Sequence, residues 1–364
     1  MNQFLLLVSA LLSSQLIGQN CNPDYQKSYK WETHNNLFFN SSRIYDQSND
    51  TLIKISENTA FNAYESRSAA SDEEGNLLFY TNGVSVYYSN GDTISIPGGR
   101  LLSGAEIDTA FASSSQQGTM IVKHPLNQDE YYIFTGDDAV GGANGITNGL
   151  NFNIYNKNNG TISLSKRLGN FRTTEHLTAT WHANGKDIWI ITHESIEDNS
   201  SDKFLSYLLT EDSISETPVE SNLGFIISHK KSDSNYSNER GELKISWDGK
   251  KAAVTFQCGQ GTWNPSESIG LMDFDNSTGK FSNYIGIGTN NVSFSLPKSV
   301  EFSTNDEFLF TCLYGIPGAN ELGYFDLSNY NYQKIYTPSE DESLGSLYTS
   351  KNGEIMVGNF KNNF

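Results

Sequence analysis

The 364 residues carry 42 acidic side chains against 24 basic ones, a net charge of −18 at neutral pH. With no Lys/Arg cluster in view, nucleic acid and anionic membrane surfaces are excluded as partners, because phosphate recognition needs a basic surface. Hydrophobic residues make up 37%, aromatics 12%, and there are 31 glycines, a composition of short strands and many turns with no long amphipathic helix.

From the start of the chain, Phe4 to Ile17 form an apolar run too short to cross a bilayer, followed by the polar Gly18-Gln19-Asn20. Residues 1–20 are therefore expected to be a cleaved signal peptide, with 21–364 one exported domain. Asn20 stands where a lipid-attachment motif before Cys21 would need Gly or Ala, so no anchor is expected. Cys258 and Cys312 read as small buried hydrophobes rather than a disulfide. The stretch from Cys21 to Thr33 is polar with the aromatics Tyr25, Tyr29 and Trp31, and is expected on the surface. Leu37-Phe38-Phe39 and Leu52-Ile53-Lys54-Ile55 flank a polar turn and predict a hairpin.

A repeated grammar follows: a small or polar residue, a turn rich in Asp, Asn and Gly, then an apolar strand. It occurs at Ser71–Gly75, His182–Lys186, Ser246–Lys250, Ser303–Glu307 and Ser350–Glu354, with a fainter copy at Asn127–Glu130. Asp-Gly and Asn-Gly supply the backbone conformations that a tight reversal needs. The fullest copy, Glu242 to Thr278, reads as two hairpins in series, one four-stranded sheet. Successive turns lie roughly 45 to 65 residues apart, the period of propeller blades, and a unit of that size must stack on neighbours to bury its faces. The fold expected is an all-β propeller of four-stranded blades. Six blades are expected: five continuous and one composite, in which the 37–55 hairpin pairs with strands at 346–357. Seven is the alternative if the sequence continues.

The stretch Gly136–Gly145 is glycine-rich but lacks Gly-Lys-Ser/Thr and a following helix, so it reads as a surface loop rather than a phosphate cradle. Residue types able to serve a ligand concentrate in the third repeat, at His176, Trp181, His193 and Glu194, with Trp263 in the next. His193 and Glu194 point to opposite faces of a strand and cannot share one metal without a bulge; the histidines read as structural. Asp273 and Asp275 have the oxygen density of a calcium loop without its spacing, so a hairpin turn is the favoured reading. No cofactor is expected.

Ser-x-Asp-Gly-Lys before an apolar strand, as in Ser246 to Val254, resembles the WD40-like repeat of bacterial β-propellers. Gly75–Val84, Tyr131–Thr135, Thr173–Ala179 and His182–Glu194 together resemble the N-terminal propeller of large secreted Bacteroidota proteins. Many of these end in a type IX secretion sorting domain of the gliding-motility-associated kind. The resemblance implies export and an extracellular or cell-surface site, and leaves two expectations: these residues are the front of a longer protein, or this copy lacks the downstream modules. Asp-Ser/Thr-apolar triplets at Thr51, Thr93, Thr109 and Ser213 resemble Bacteroidota O-glycosylation acceptors.

No Gly-x-Ser-x-Gly elbow or Ser-His-Asp set can be assigned. The expected function is a noncatalytic recognition or adhesion module, monomeric, taking a protein or glycan ligand on loops at one end of the ring. The alternatives are a propeller hydrolase of lactonase or glycosidase type, with Glu175, His176, Asp187 and His193 as contributors, and a scaffold subunit of a surface or secretion assembly.

Overall fold

The computed structural model describes residues 36–40, 43–46, 51–54, 66–72, 76–103, 115–138, 148–196, 200–228, 239–256, 268–288, 296–314, 320–339, 342–349 and 353–361, none of them helical. Their strands fall into seven antiparallel sheets. The first holds β1 (Asn36–Asn40), β2 (Arg43–Asp46) and β3 (Thr51–Lys54). The second holds β4 (Ser68–Ser71), β5 (Leu77–Thr81), β6 (Val86–Tyr88) and β7 (Thr93–Ile94). The third comprises β8 (Thr119–Lys123), β9 (Glu130–Thr135), β10 (Leu150–Asn156), β11 (Thr161–Ile162) and β12 (Lys166–Leu168), the last two both pairing with β10.

The fourth sheet runs β13 (Arg172–Trp181), β14 (Ile188–Ser195), β15 (Ser200–Leu209) and β16 (Val219–Ser228). The fifth runs β17 (Leu243–Ile245), β18 (Lys251–Thr255), β19 (Ile269–Asp275) and β20 (Lys280–Ile287). The sixth runs β21 (Leu296–Phe302), β22 (Phe308–Tyr314), β23 (Glu321–Asp326) and β24 (Tyr332–Tyr336). The seventh, among the described residues, has β25 (Glu342–Thr349) and β26 (Ile355–Lys361).

Sheet packs on sheet in sequence order, because strands such as β9, β14 and β18 bury both their faces. In β14 the alternation is explicit: Ile188 and Ile190 enter a core with Phe134 and Phe152 of the third sheet, whereas Trp189 and Ile191 enter one with Val254 and Phe274 of the fifth. Equivalent seams join the second and third sheets through Phe79 and Ile133, the fifth and sixth through Ile269 and Phe302, and the sixth and seventh through Phe310 and Leu347. Each fully buried side chain of this kind stabilises the fold by about 1.5–3 kcal/mol. The first strands of neighbouring sheets lie side by side around the centre, as β13 does with β8 and β17, and β21 with β17 and β25. The chain is a β-propeller.

The turn grammar is also visible atom by atom. Ser246 Oγ accepts from the Lys251 amide at 2.8 Å and donates to Asp248 at 2.7 Å, while Gly249 takes the left-handed conformation (φ 70°) that the reversal requires. These turns also clasp their neighbours: Asp306 accepts from the amides of Trp247 and Asp248, each at 2.8 Å. The Trp189 indole donates to Asn276 O at 2.8 Å across the next seam back.

The composite closing blade is corrected. Strands β1 to β3 pair among themselves (Leu37 with Tyr45, Ile44 with Ile53), and β25 pairs with β26 (Leu347 with Val357), so the two terminal hairpins are separate sheets rather than halves of one. The reason is Arg43–Asp46, read from sequence as turn: as a strand it joins both of its neighbours and completes a sheet. β1 then lies beside β4 as an inner strand does, and also touches β26.

Candidate functional site

Antiparallel order puts the first-to-second and third-to-fourth connections of each sheet at one end of the ring. These are the tight turns, such as 182–187, 246–250, 276–279 and 303–307. The opposite end receives the longer connections, among them those between β9 and β10, β18 and β19, and β16 and β17, whose middle portions lie outside the described residues. Long connections on a rigid scaffold are where binding surfaces reside. Beneath them the structure places buried ionisable groups.

Asp137 follows β9 with its carboxylate buried. Its oxygens accept from the amides of Asn148 (2.8 Å), Gly149 (3.0 Å) and Thr173 (3.0 Å), tying both stems of the 139–147 connection to β13. Burial raises its pKa above the usual carboxylate range, opposed by those amides and by Arg172. Arg172 pairs with Glu239 at 3.4 Å, and Glu239 also accepts from the Ser195 hydroxyl. Glu175 accepts from the Gln116 amide at 3.1 Å, and its own amide donates to Glu239 O at 3.1 Å. Gln117 reaches inward as a bridge: its Oε1 accepts from the Leu243 amide (2.7 Å) and its Nε2 donates to Leu243 O (3.1 Å).

A second group lies on the inner strands of the fifth to seventh sheets. Lys244 is 3.5 Å from Glu301, sits 5.1 Å over the ring of Tyr348, and donates to Leu347 O at 3.5 Å. Glu242 accepts from Ser299 Oγ at 2.6 Å, and that same oxygen accepts from the Leu347 amide at 2.7 Å. Burial alone would lower the Lys244 pKa, but Glu301 and Glu242 outweigh it and hold it above its usual value. Burial raises that of Glu242, opposed by Lys244.

His176 and His193 do come together, buried between the fourth and fifth sheets. His176 Nε2 donates to Thr255 O at 2.9 Å, and its Nδ1 lies 2.8 Å from Thr174 Oγ1. His193 Nδ1 donates to Glu194 O at 2.6 Å, and the ring stands edge-on to Phe204 at 4.6 Å. Burial lowers the pKa of His176 to about 4 and that of His193 to about 3, so both imidazoles are neutral at pH 7.

Glu194 points the other way, accepting from Ser201 Oγ at 2.7 Å with Lys203 at 3.7 Å. Trp181 packs on the seam between the third and fourth sheets. Asp187 is a correction: it lies in the tight turn at the opposite end, accepting from Asn184 Nδ2 at 2.7 Å, and so does not join Glu175, His176 and His193. Trp263 and Thr109 lie outside the described residues, as do Cys21 and Cys258; Cys312 is free and buried.

The oxygens of Asp275 accept from Ser277 (2.6 Å) and Thr278 (2.8 Å) within their turn, and Asp273 accepts from Asn283 (2.7 Å) and Lys251 (3.1 Å). Asp275 forms the Asx-type turn, and Asp273 bonds to the two neighbouring strands. Among the described residues no three His, Cys, Asp or Glu side chains are placed to hold a metal. Thr93 and Ser213 are exposed and each precedes a buried isoleucine, Ile94 and Ile214; Thr51 lies in β3.

Sequence reasoning missed Arg172, Glu239, Glu242, Lys244 and Glu301. A usable signal existed for two of them: a lone charge flanked by apolar residues on an inner strand, as in Leu243-Lys244-Ile245 and Val300-Glu301-Phe302.

No family model and no curated protein matches the chain. Among solved structures it is similar to the extracellular domain of a hybrid two-component system protein from B. thetaiotaomicron, at 14% identity over 80% of this chain and 30% of that one, TM-score 0.42. It is similar to the β-propeller domain of Swd1 from Myceliophteria thermophila at 11% identity, covering 86% of this chain and 88% of that one, TM-score 0.46. The periplasmic gluconolactonase of Pseudomonas aeruginosa is 10% identical, covering 89% of this chain and 86% of that one, TM-score 0.45. The chain thus spans under a third of the length of the first of these, at 30%. At these identities and scores none of the three bears on what this chain binds. Among the described residues no helix is long and apolar enough to cross a membrane.

Proposed function

We propose that the chain is a noncatalytic recognition or adhesion module, exported to the outer surface of a Bacteroidota cell or beyond it, and monomeric. Its ligand is a protein or glycan surface taken by the connections at the open end of the ring. The observation that carries this reading is the use made of the buried charges beneath that end. Asp137, Arg172, Glu239, Glu242 and both histidines are each engaged by backbone, by the Ser299 hydroxyl or by one another, holding strand ends and loop stems. Polar groups committed in this way orient a surface, whereas hydrolysis needs an acid and a base turned toward a substrate.

The test is a glycan array together with whole-cell binding, using the folded protein, beside lactone and glycoside hydrolysis assays. Saturable binding that Trp263→Ala weakens without lowering the melting temperature is expected, with no turnover. Turnover abolished by Glu175→Gln would establish the hydrolase reading in its place. The resemblance that suggests this location also suggests O-glycosylation, and the exposure of Thr93 and Ser213 supports it. The natively secreted protein is then expected to exceed the mass of its mature chain by whole sugar units, and a bare mass would remove the idea.

A further inference from the structure

The seam between the fourth and fifth sheets contains two imidazoles whose protonation states are dictated by their partners. A carbonyl only accepts, so the proton of His176 sits on Nε2 facing Thr255 O, and that of His193 on Nδ1 facing Glu194 O. The second nitrogen of His176 faces the Thr174 hydroxyl, which can turn from donor to acceptor. That of His193 faces no partner among the described residues, and the residue is fully buried with its ring edge-on to Phe204. A proton added to His193 Nε2 therefore creates a charged donor with no acceptor among the described residues, in a seam of apolar side chains. We infer that this seam is an acid-labile latch in the propeller, with His193 as its trigger and the His176–Thr255 bond as the link that gives way.

The charged groups on the packed elements are Arg172 and Glu175 on β13, Glu194 on β14 and Lys203 on β15, these two paired on the face away from His193, Asp202 on β15, and Glu239 and Glu242 ahead of β17. Glu239 attracts a proton to His176 and Asp202 to His193, yet burial outweighs both and lowers each imidazole. The sign follows from the unfolded chain, whose histidines bind protons below about 6.5 while the native ones do not. Stability is whole above that pH and is lost as pH falls toward about 4. Burial raises Asp137 and Glu242, which act in the opposite direction, so the histidine contribution must be read as a difference between variants.

The latch matters because of what it holds. Thr255 also bonds the chain entering β17, accepting from the Glu242 amide at its hydroxyl (2.8 Å) and donating its own amide to Glu242 O (2.9 Å). Release therefore loosens the stems of two connections at the open end.

The test is urea unfolding of the full chain from pH 7 to 4.5, with His193→Phe and His193→Gln beside the wild type. The wild-type unfolding constant is expected to rise by up to about tenfold per pH unit for each of the two histidines, and either variant to lose one such factor. Hydrogen exchange of the wild type, corrected for intrinsic rates, is expected to show the Glu242 and Thr255 amides losing protection at pH 5 before those of Ile133 and Phe134. If His193→Phe does not fold, the Gln variant and the exchange data decide. Equal pH slopes in wild type and variants, resonances of His176 and His193 titrating near 6.5 in the native protein, or uniform protection at pH 5 would each overturn the inference.

Discussion

Replacing Lys244 by methionine is expected to lower the stability of the propeller by about 3–5 kcal/mol, among the largest losses any single substitution outside the apolar seams should give. Glu301 lies 3.5 Å from the ammonium with its side chain 2% exposed, and Glu242 is nearby and buried. Removing the cation strands two carboxylates where water cannot replace it. The pair as a whole is worth much less than either half suggests, because burying both charges costs desolvation that their attraction only offsets. Lys244→Met combined with Glu301→Leu should therefore recover most of the loss. Urea unfolding of the two single variants and the double one closes the cycle. Additive losses would show that the two side chains act independently.

Asp137→Ala is expected to cost about 3 kcal/mol or more, since it leaves the amides of Asn148, Gly149 and Thr173 buried without an acceptor. Asparagine should recover only part of this. Its oxygen can serve one side of the carboxylate site, but its amide would then oppose another N–H. The change is expected in the midpoint of unfolding and in faster exchange of those three amides, with the seams elsewhere unaltered. Full recovery by asparagine would mean that neither the negative charge nor the second acceptor oxygen is needed there.

Strands and turns were legible because their causes are local. Ile188-Trp189-Ile190-Ile191 is apolar at every position since both faces are covered, and Asn184-Gly185 ahead of it supplies the reversal. Arg43–Asp46 was missed because charges at both its ends mimic a turn. The buried network was illegible for a different reason: its partners are distant in sequence. Asp137 and Thr173 are 36 residues apart, Arg172 and Glu239 are 67, and Gln117 and Leu243 are 126. No spacing rule operates over such distances, and only the closed stack brings them together. His176 and His193 were visible as residue types, but their shared seam depends on a register that the bulge between Thr173 and Leu177 shifts.

The two ends of the ring differ in what can be done to them at the bench. Lys186 is exposed in the tight turn between β13 and β14, at the end that carries the compact reversals. A thiol placed there, in the form of Lys186→Cys, would let a maleimide surface hold every molecule by the same pole, with the long connections turned toward solution. The same coupling made on the opposite pole would bury them against the support. A sensor built one way would register a ligand that the other could not.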